Sequence, residues 1–481
     1  MERTYLVELI KSLNAEEQAD FQKFIANEYF NAGKQHSEVR DLLRIILAAA
    51  PDFLEAQLNK EVVYPQVFPD SPVMVEGKLE KLMVELNKLL RTFLLIRYYF
   101  REKNEIQHQL DLGAILRERQ LENRYQQLLA KTKSMLDAEP WKSAQHFYCQ
   151  YQLELAFHEL ESIYNRQKGD LNLSNVLYNL DLFYYINRVE YLNRFLLQQK
   201  AANLTVPEPI SFALRENPVP ERYLKDSTTL LIADKIFYLY KAEHPEVADF
   251  QALADLLTEY EDKIEPEVLR YFFTYLRSLC TLLNNLGNQE LLPVLHRIQR
   301  DNLERGYLYF NGKISPSALI NVIIAGIRMK NFQWVEHVLE THKDRIYGDN
   351  ETQDFYRYNK ANYLFAIGKY EEALDWIPPT SPYVDYLVLG RRLELKILYE
   401  LDSDLLPYKL DALKMFISRA SKKFLSDDLR RANADFVNLL NQIIQSKPGD
   451  KNRAQQLLQR IEAKKWTAER IWLEEKVKQL R

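Results

Sequence analysis

Glycine is scarce in this chain, with 12 residues in 481. None of them builds GxxxxGKS, GxxxxGKT or GxGxxG, the loops that cradle nucleotide phosphates. The GxSxG elbow of serine hydrolases is also missing. Cysteine is nearly absent. Cys149 and Cys280 stand alone, which excludes a disulfide framework and a cysteine-based zinc site. Long apolar runs are lacking: no stretch approaches the ~18 apolar residues of a membrane-crossing helix. The opening residues, MERTYLVELIKSLNAEEQ, carry charges throughout and lack a signal-peptide core. A reducing cytoplasm is the expected compartment. Neither sign of charge dominates: 64 Lys and Arg face 68 Asp and Glu, for a net charge of −4. That balance gives no global case for nucleic acid or for a membrane as partner.

Histidine offers no metal or catalytic pattern either. His158-Glu159 has no second histidine four residues on. His337 and His342 are five apart, a spacing that diverges on a helix. Cys149 sits among Phe147, Tyr148 and Tyr151, where it reads as a small packed hydrophobe. No catalytic residue, cofactor or metal is therefore expected, and the chain reads as non-enzymatic.

What is abundant is apolar and aromatic surface. The chain is 47% hydrophobic, with 30 Tyr and 23 Phe, and its segments keep helical periodicity almost throughout. The expected fold class is all-α. The most legible stretch is Asp354 to Pro379, DFYRYNKANYLFAIGKYEEALDWIPP. Ala361, Leu364 and Phe365 fall on one helical face. Gly368 suits a helix end that needs a left-handed residue. Tyr370, Ala373, Leu374 and Ile377 form the apolar face of a second helix, which Pro378-Pro379 stops. Such a hairpin cannot bury its face alone and should stack on neighbours.

These residues resemble a tetratricopeptide repeat at Ala361, Leu364, Gly368, Tyr370, Ala373 and Ile377. Arg357 and Lys360 depart from that pattern, where large apolar residues are usual. The resemblance covers about 26 residues and implies an α-solenoid of irregular helical hairpins, a superhelix that binds protein or peptide. By the same resemblance, the first helix of the hairpin lines the inner face. Tyr356, Arg357 and Lys360 are then the candidate partner-binding residues, with the two cations suited to a carboxylate.

Residues 1–100 read as an N-terminal helical unit. Asn14 and Glu17 form a capping box. Leu6, Leu9 and Ile10 precede it, and Phe21, Phe24 and Ile25 follow it. A helix from Ser37, a proline-bearing connector or very short helix over Glu61–Pro72, and a long helix from about Val75 to Phe100 complete the unit. Its segments FIANEYFNAG, LNKEVVYPQVFPDSP and KLEKLMVELNKLLRTFL resemble the N-terminal region of uncharacterised bacterial helical-repeat proteins, a likeness that implies architecture and no activity.

Residues 101–202 read as degenerate hairpins, with one turn at Gln120-Leu121-Glu122. Residues 203–221, with Pro207, Pro209, Pro218 and Pro220, read equally as a linker between halves or as a surface excursion. Residues 222–481 carry the clearest repeats. Helices are expected near 224–242, 247–260, 266–286, 289–304, 316–329, 332–345, 353–367, 370–377, 383–400 and 406–422. Ser315-Pro316 gives one of them a capping serine before an N-terminal proline. Asn331-Phe332 matches Lys369-Tyr370, and Phe332 to Tyr370 spans 370 − 332 = 38 residues. The segment 451–481 holds nine basic and four acidic residues and reads as a charged capping helix with a solvated outer face.

Consecutive aromatics, such as Tyr271-Phe272-Phe273 and Phe355-Tyr356, cannot share one helical face. They pack between repeats or line a groove for a peptide. Two functional classes follow. One is a non-catalytic scaffold binding a protein or peptide. The other is a transcription-type regulator whose N-terminal unit contacts DNA while the repeats sense a partner. The long helix of that unit mixes Glu76, Glu80 and Glu85 with Lys78, Lys81, Lys88 and Arg91, which is not the basic stripe that phosphates need.

Overall fold

The structure is a computed structural model. It describes residues 4–480 apart from 32, 34, 101–104, 165–169, 203, 216–218, 350–352, 380–382, 421–424, 426 and 465–466. Ala32 of the FIANEYFNAG segment, and Asn203 and Pro218 of the 203–221 segment, lie outside the described residues. The chain is all-α, with one two-stranded ribbon among the described residues. It forms two compact units, residues 1–138 with 149–176, and residues 139–148 with 177–481. No described helix is long and apolar enough to cross a membrane.

The first unit opens with α1 (Tyr5–Lys11), α2 (Ala15–Ala26), α3 (His36–Ala48), α4 (Lys60–Val67) and α5 (Lys78–Tyr99). The Asn14 side chain accepts from the Glu17 amide at 2.9 Å and Glu17 accepts from the Asn14 amide at 3.0 Å, so the capping box starts α2 as its sequence demands. The proline-bearing connector holds a short helix, α4, with Pro65 inside it. Leu6, Ile10, Phe21, Leu42, Tyr64 and Leu86 close one core. The hairpin of α6 (Glu105–Glu118) and α7 (Glu122–Asp137) closes a smaller one around Tyr125, Leu129 and Leu136.

Two long helices, α8 (Ala144–Tyr164) and α9 (Leu173–Ala202), give residues to both units. Their unbroken periodicity carries no boundary signal, so the division falls where the sequence shows none. Residues 203–221 lie within the second unit instead. They contain α10 (Glu208–Arg215), whose Ile210, Ala213 and Leu214 pack on the core shared by Leu182, Val189 and Leu230.

The second unit continues with α11 (Glu221–Asp226), α12 (Thr228–Lys241), α13 (Val247–Glu259), α14 (Pro266–Asn285) and α15 (Leu292–Glu304). A ribbon of β1 (Tyr309–Phe310) and β2 (Lys313–Ile314) follows, pairing Tyr309 with Ile314 and Phe310 with Lys313. Then come α16 (Pro316–Arg328), α17 (Phe332–His342), α18 (Asp354–Ala366), α19 (Tyr370–Asp375), α20 (Val384–Glu400), α21 (Leu406–Arg419), α22 (Asp427–Ile444), α23 (Lys451–Glu462) and α24 (Arg470–Gln479). Each helix from α12 to α16 packs on its successor. Next-but-one pairs also meet: α12 with α14, α16 with α18, α18 with α20, and α22 with α24.

One turn recurs through these hairpins. After the last helical residue the chain passes through a left-handed residue, and the next amide donates to the carbonyl five residues back. Leu121, Asn288, Tyr307, Asn331, Lys369 and Ser403 make this bond at 2.9–3.1 Å. It is the Schellman ending, which satisfies the carbonyls that a helix end leaves open. The left-handed positions are Gln120, Gly287, Gly306, Lys330, Gly368 and Asp402, with φ from +48° to +118°. Only three of them are glycine.

The segment 451–481 is two helices rather than one, and its charges are committed inside the fold. Glu469, in the left-handed region at φ 54°, accepts from Lys396 at 2.8 Å and meets Arg392 at 3.4 Å. Glu400 accepts from Trp472 Nε1 at 3.0 Å and pairs with Lys476 at 2.7 Å. Lys464 pairs with Asp435 at 2.8 Å. The solvated face expected of this segment is in large part a clasp on α20 and α22.

Candidate functional site

The three residues read as partner-binding are held by internal partners. Tyr356 is buried and its hydroxyl donates to Glu340 at 3.2 Å. Lys360 donates to the same carboxylate at 3.1 Å, with its side chain 15% exposed. Arg357 leaves them, donating to the Asp375 carbonyl at 2.8 Å and lying over the Trp376 ring. A cation at the carbonyl end of α19 also complements its dipole. The two departures from the repeat pattern thus strut α18 against α17 and α19. None of the three lines the large cleft of this unit.

That cleft has a volume of about 1030 Å³ and is built by α14, α15, the ribbon and the start of α16, with α9 at its edge. Its floor follows from the amphipathicity of α14. Leu269, Phe272, Leu276 and Cys280 bury one face. Glu267, Arg270, Thr274 and Arg277 recur at three- and four-residue spacing on another and line the cleft.

The ribbon supplies the opposite wall. Asn311 and Gly312, at φ 49° and 75°, form the two-residue turn that an Asn-Gly pair favours. The ribbon is tied down by the Ile314 amide donating to Arg345 O and the Tyr347 amide donating to Ile314 O, both at 2.8 Å. Tyr309 stacks on His342, which is buried. Its Nδ1 donates to the Val338 carbonyl at 2.6 Å, so in the neutral ring Nε2 accepts from the Tyr309 hydroxyl, also at 2.6 Å. Burial pushes the His342 pKa down, which favours that neutral form. Ser315 caps α16 by accepting from the Ala318 amide at 3.2 Å, and Ser315 and Ser317 both open onto the cleft.

The electrostatics are one-sided. Lys200, Arg270, Arg277 and Lys313 line the cleft against one acid, Glu267. That is 4 − 1 = +3 in a chain whose net charge is −4. No ion pair involves any of the four cations among the described residues. Arg277 is half-buried. Its Nη2 donates to Thr274 Oγ1 at 3.0 Å, while Nη1 is shielded from solvent with no partner. Burial without a counter-charge pushes its pKa down to about 10. Gln299 is buried at 2% exposure, lines the cleft, and leaves its amide oxygen without a partner.

The aromatic lining divides in two. Tyr240 is wall, its hydroxyl donating to Tyr275 O at 2.7 Å. Tyr271, Phe310 and Tyr347 are exposed at 53%, 66% and 58% and form an open rim. Of the aromatic runs noted in the sequence, Phe272, Phe273, Phe355 and Tyr356 are buried, as are the nearby Tyr275 and Tyr358. Tyr271 is the member that faces the cleft.

The comparisons with known proteins add no family: no protein-family model, curated protein or solved structure matches the chain.

Sequence reading missed this site because its residues are spread from Lys200 to Tyr347. Two local signals were available. The Phe-Asn-Gly-Lys run at 310–313 marks a tight hairpin. Arg270 and Arg277, one heptad apart, share a face of α14 with Glu267 as the one acid among its cleft-lining residues.

Proposed function

We propose that the protein is a non-catalytic helical-repeat scaffold whose second unit docks an acidic, aromatic-tolerant peptide segment of a partner protein. The observation that carries this reading is the cleft on α14: four cations in no ion pair, with a rim of exposed aromatic rings. Cations of this kind attract and orient an acidic segment. Tyr and Arg are also the side chains that concentrate binding energy at interfaces. The next-but-one packing and the recurring Schellman turn support a stack of tetratricopeptide-like hairpins, an α-solenoid, as the framework. In this reading the scaffold works in the cytoplasm, where the buried Cys149 and Cys280 remain thiols. The regulator reading gains less support. In the first unit Lys60 is paired with Glu80, and Arg97 with Asp20, so these cations are spoken for within the fold.

The test is isothermal titration of the full chain with two synthetic decapeptides, one alternating Glu and Tyr, the other Lys and Tyr. The acidic peptide should bind, weaken with added salt, and lose most of its affinity in a Tyr271→Ala, Phe310→Ala double variant. Equal binding of the two peptides, or an unaffected variant, refutes the reading.

A further inference from the structure

Arg277 is an unusual element of the cleft wall. Buried guanidinium groups are generally paired, because desolvating an unpaired charge is costly. Here one arm of the fork donates to Thr274 and the other has no partner, although the residue lines a cleft of about 1030 Å³. A second, independent group points the same way. Gln299 lines the cleft from α15, is buried at 2% exposure, and has an amide oxygen with nothing to accept from. A third contribution comes from α16, a helix of 13 residues whose first turn faces the cleft through Ser315 and Ser317. A helix start carries partial positive charge, which suits an anion; with Pro316 lacking an amide proton and the Ala318 amide taken by Ser315, this one contributes its dipole more than open donors.

The unmet demands are therefore for an acceptor at Arg277 and for a donor at Gln299. A carboxylate supplies one charge and two oxygens. A phosphoryl group supplies about −1.5 to −2 charges and three terminal oxygens, which matches the +3 lining better. Arginine is the residue of choice for phosphate because its planar fork fits two oxygens.

We propose that the Arg277 end of the cleft is a phosphoryl-binding subsite, in which Arg277 and Gln299 turn their shielded Nη1 and Oε1 out to the ligand, so that Arg277, Arg270 and Lys313 hold the phosphate of a phosphorylated side chain and Gln299 accepts from a backbone amide beside it. This rests on the peptide-docking reading and makes it more specific: the docked segment is recognised in its modified state. Because no covalent chemistry is involved, the subsite works as a reader of phosphorylation, binding the group without transferring it.

The experiment titrates the full chain with three peptides of one sequence, Glu-Tyr-Xaa-Tyr-Glu, in which Xaa is serine, phosphoserine or glutamate, and with free phosphoserine. Two variants run in parallel, Arg277→Gln and Lys313→Gln. Lys313 is on the exposed ribbon, so its variant keeps the test alive should Arg277→Gln fail to fold, which a thermal melt reports. The phosphopeptide should bind at least tenfold tighter than the serine and glutamate peptides. Arg277→Gln should erase that advantage, and Lys313→Gln should reduce it several-fold. If the three peptides bind equally, or if the advantage survives in the variants, the subsite is overturned while the docking reading stands. If free phosphoserine binds through Arg277 but no peptide does, the subsite stands and the docking reading falls. If nothing binds, both fall.

Discussion

Replacing Glu469 by glutamine should cost about 3 kcal/mol at neutral pH. Glu469 is 23% exposed and faces Lys396 and Arg392, whose side chains are 10% and 12% exposed. Burial alone would raise its pKa. Lys396 and Arg392 outweigh that and hold it at about 2, against an ordinary value of 4.5. Each pKa unit is worth about 1.4 kcal/mol, so a shift of 2.5 units contributes roughly 3 kcal/mol. The sign follows from linkage. A carboxylate whose folded pKa is depressed stabilises the fold above its unfolded pKa, and the contribution is lost as pH falls through the folded pKa. It should be full at pH 7, about half as large at pH 3, and absent below about pH 1. Glutamine keeps the shape and one acceptor but leaves two shielded cations without a counter-charge. Hydrogen exchange of α20 and α24 is the assay, since a chain of two units has no single unfolding free energy. A loss of protection below 0.5 kcal/mol at pH 7, or a loss of equal size at pH 3, would refute the reasoning.

Lys330 and Asp402 occupy left-handed positions that their side chains disfavour, so glycine at either should raise the melting temperature, by about 0.5–1 kcal/mol of stability each. Gly326→Ala should lower the protection of α16 and α17 from hydrogen exchange by roughly 1–3 kcal/mol, because the added methyl would lie 2.5 Å from Val335 Cγ2 and 3.0 Å from the Trp334 ring. Asp234 is 8% exposed, and burial, only partly offset by Lys235, raises its pKa to about 6. A carboxyl raised in this way favours the fold while protonated and loses that contribution as pH rises through about 6. Asp234→Asn should therefore stabilise by about 3 kcal/mol at pH 8 and by almost nothing below about pH 3; equal effects at both pH values would contradict the assignment.

Much of the fold is legible in the sequence where local chemistry and tertiary demand coincide. The Asn14–Glu17 box, the Ser315 cap and the Gly368 turn all occur where their residues require them. The hairpin of α18 and α19 buries Ala361 and Ala373 completely, as two closely passing helices require. Other features leave no local trace. No glycine marks the Schellman turn at Asp402, and the one at Lys330 shows only through the match of Asn331-Phe332 to Lys369-Tyr370. From Gly287 on, the left-handed turn positions Gly306, Lys330, Gly368 and Asp402 follow at spacings of 19, 24, 38 and 34 residues (306 − 287, 330 − 306, 368 − 330, 402 − 368), so no fixed period shows. Arg357 and Lys360 are visible as departures from a pattern, but whether a cation faces a partner or a neighbouring helix depends on Glu340 and the Asp375 carbonyl, which no periodicity places. The cleft is least legible, since what distinguishes it is missing ion pairs, and sequence does not display missing partners.

The clasp on α20 bears on how this region comes apart. A stack of hairpins in which each touches only its neighbours unzips from an end, repeat by repeat, with a broad transition. Here Glu469 reaches back 73 residues to Lys396, and Lys476 reaches back 76 to Glu400. Opening α21 or α22 alone would leave those bonds intact around a loosened loop. Opening α24 would expose α20 and its shielded cations at once. The helices between can loosen inside those bonds, whereas α20 and the α24 end are joined by them, so α20 and α24 should gain and lose protection from exchange together.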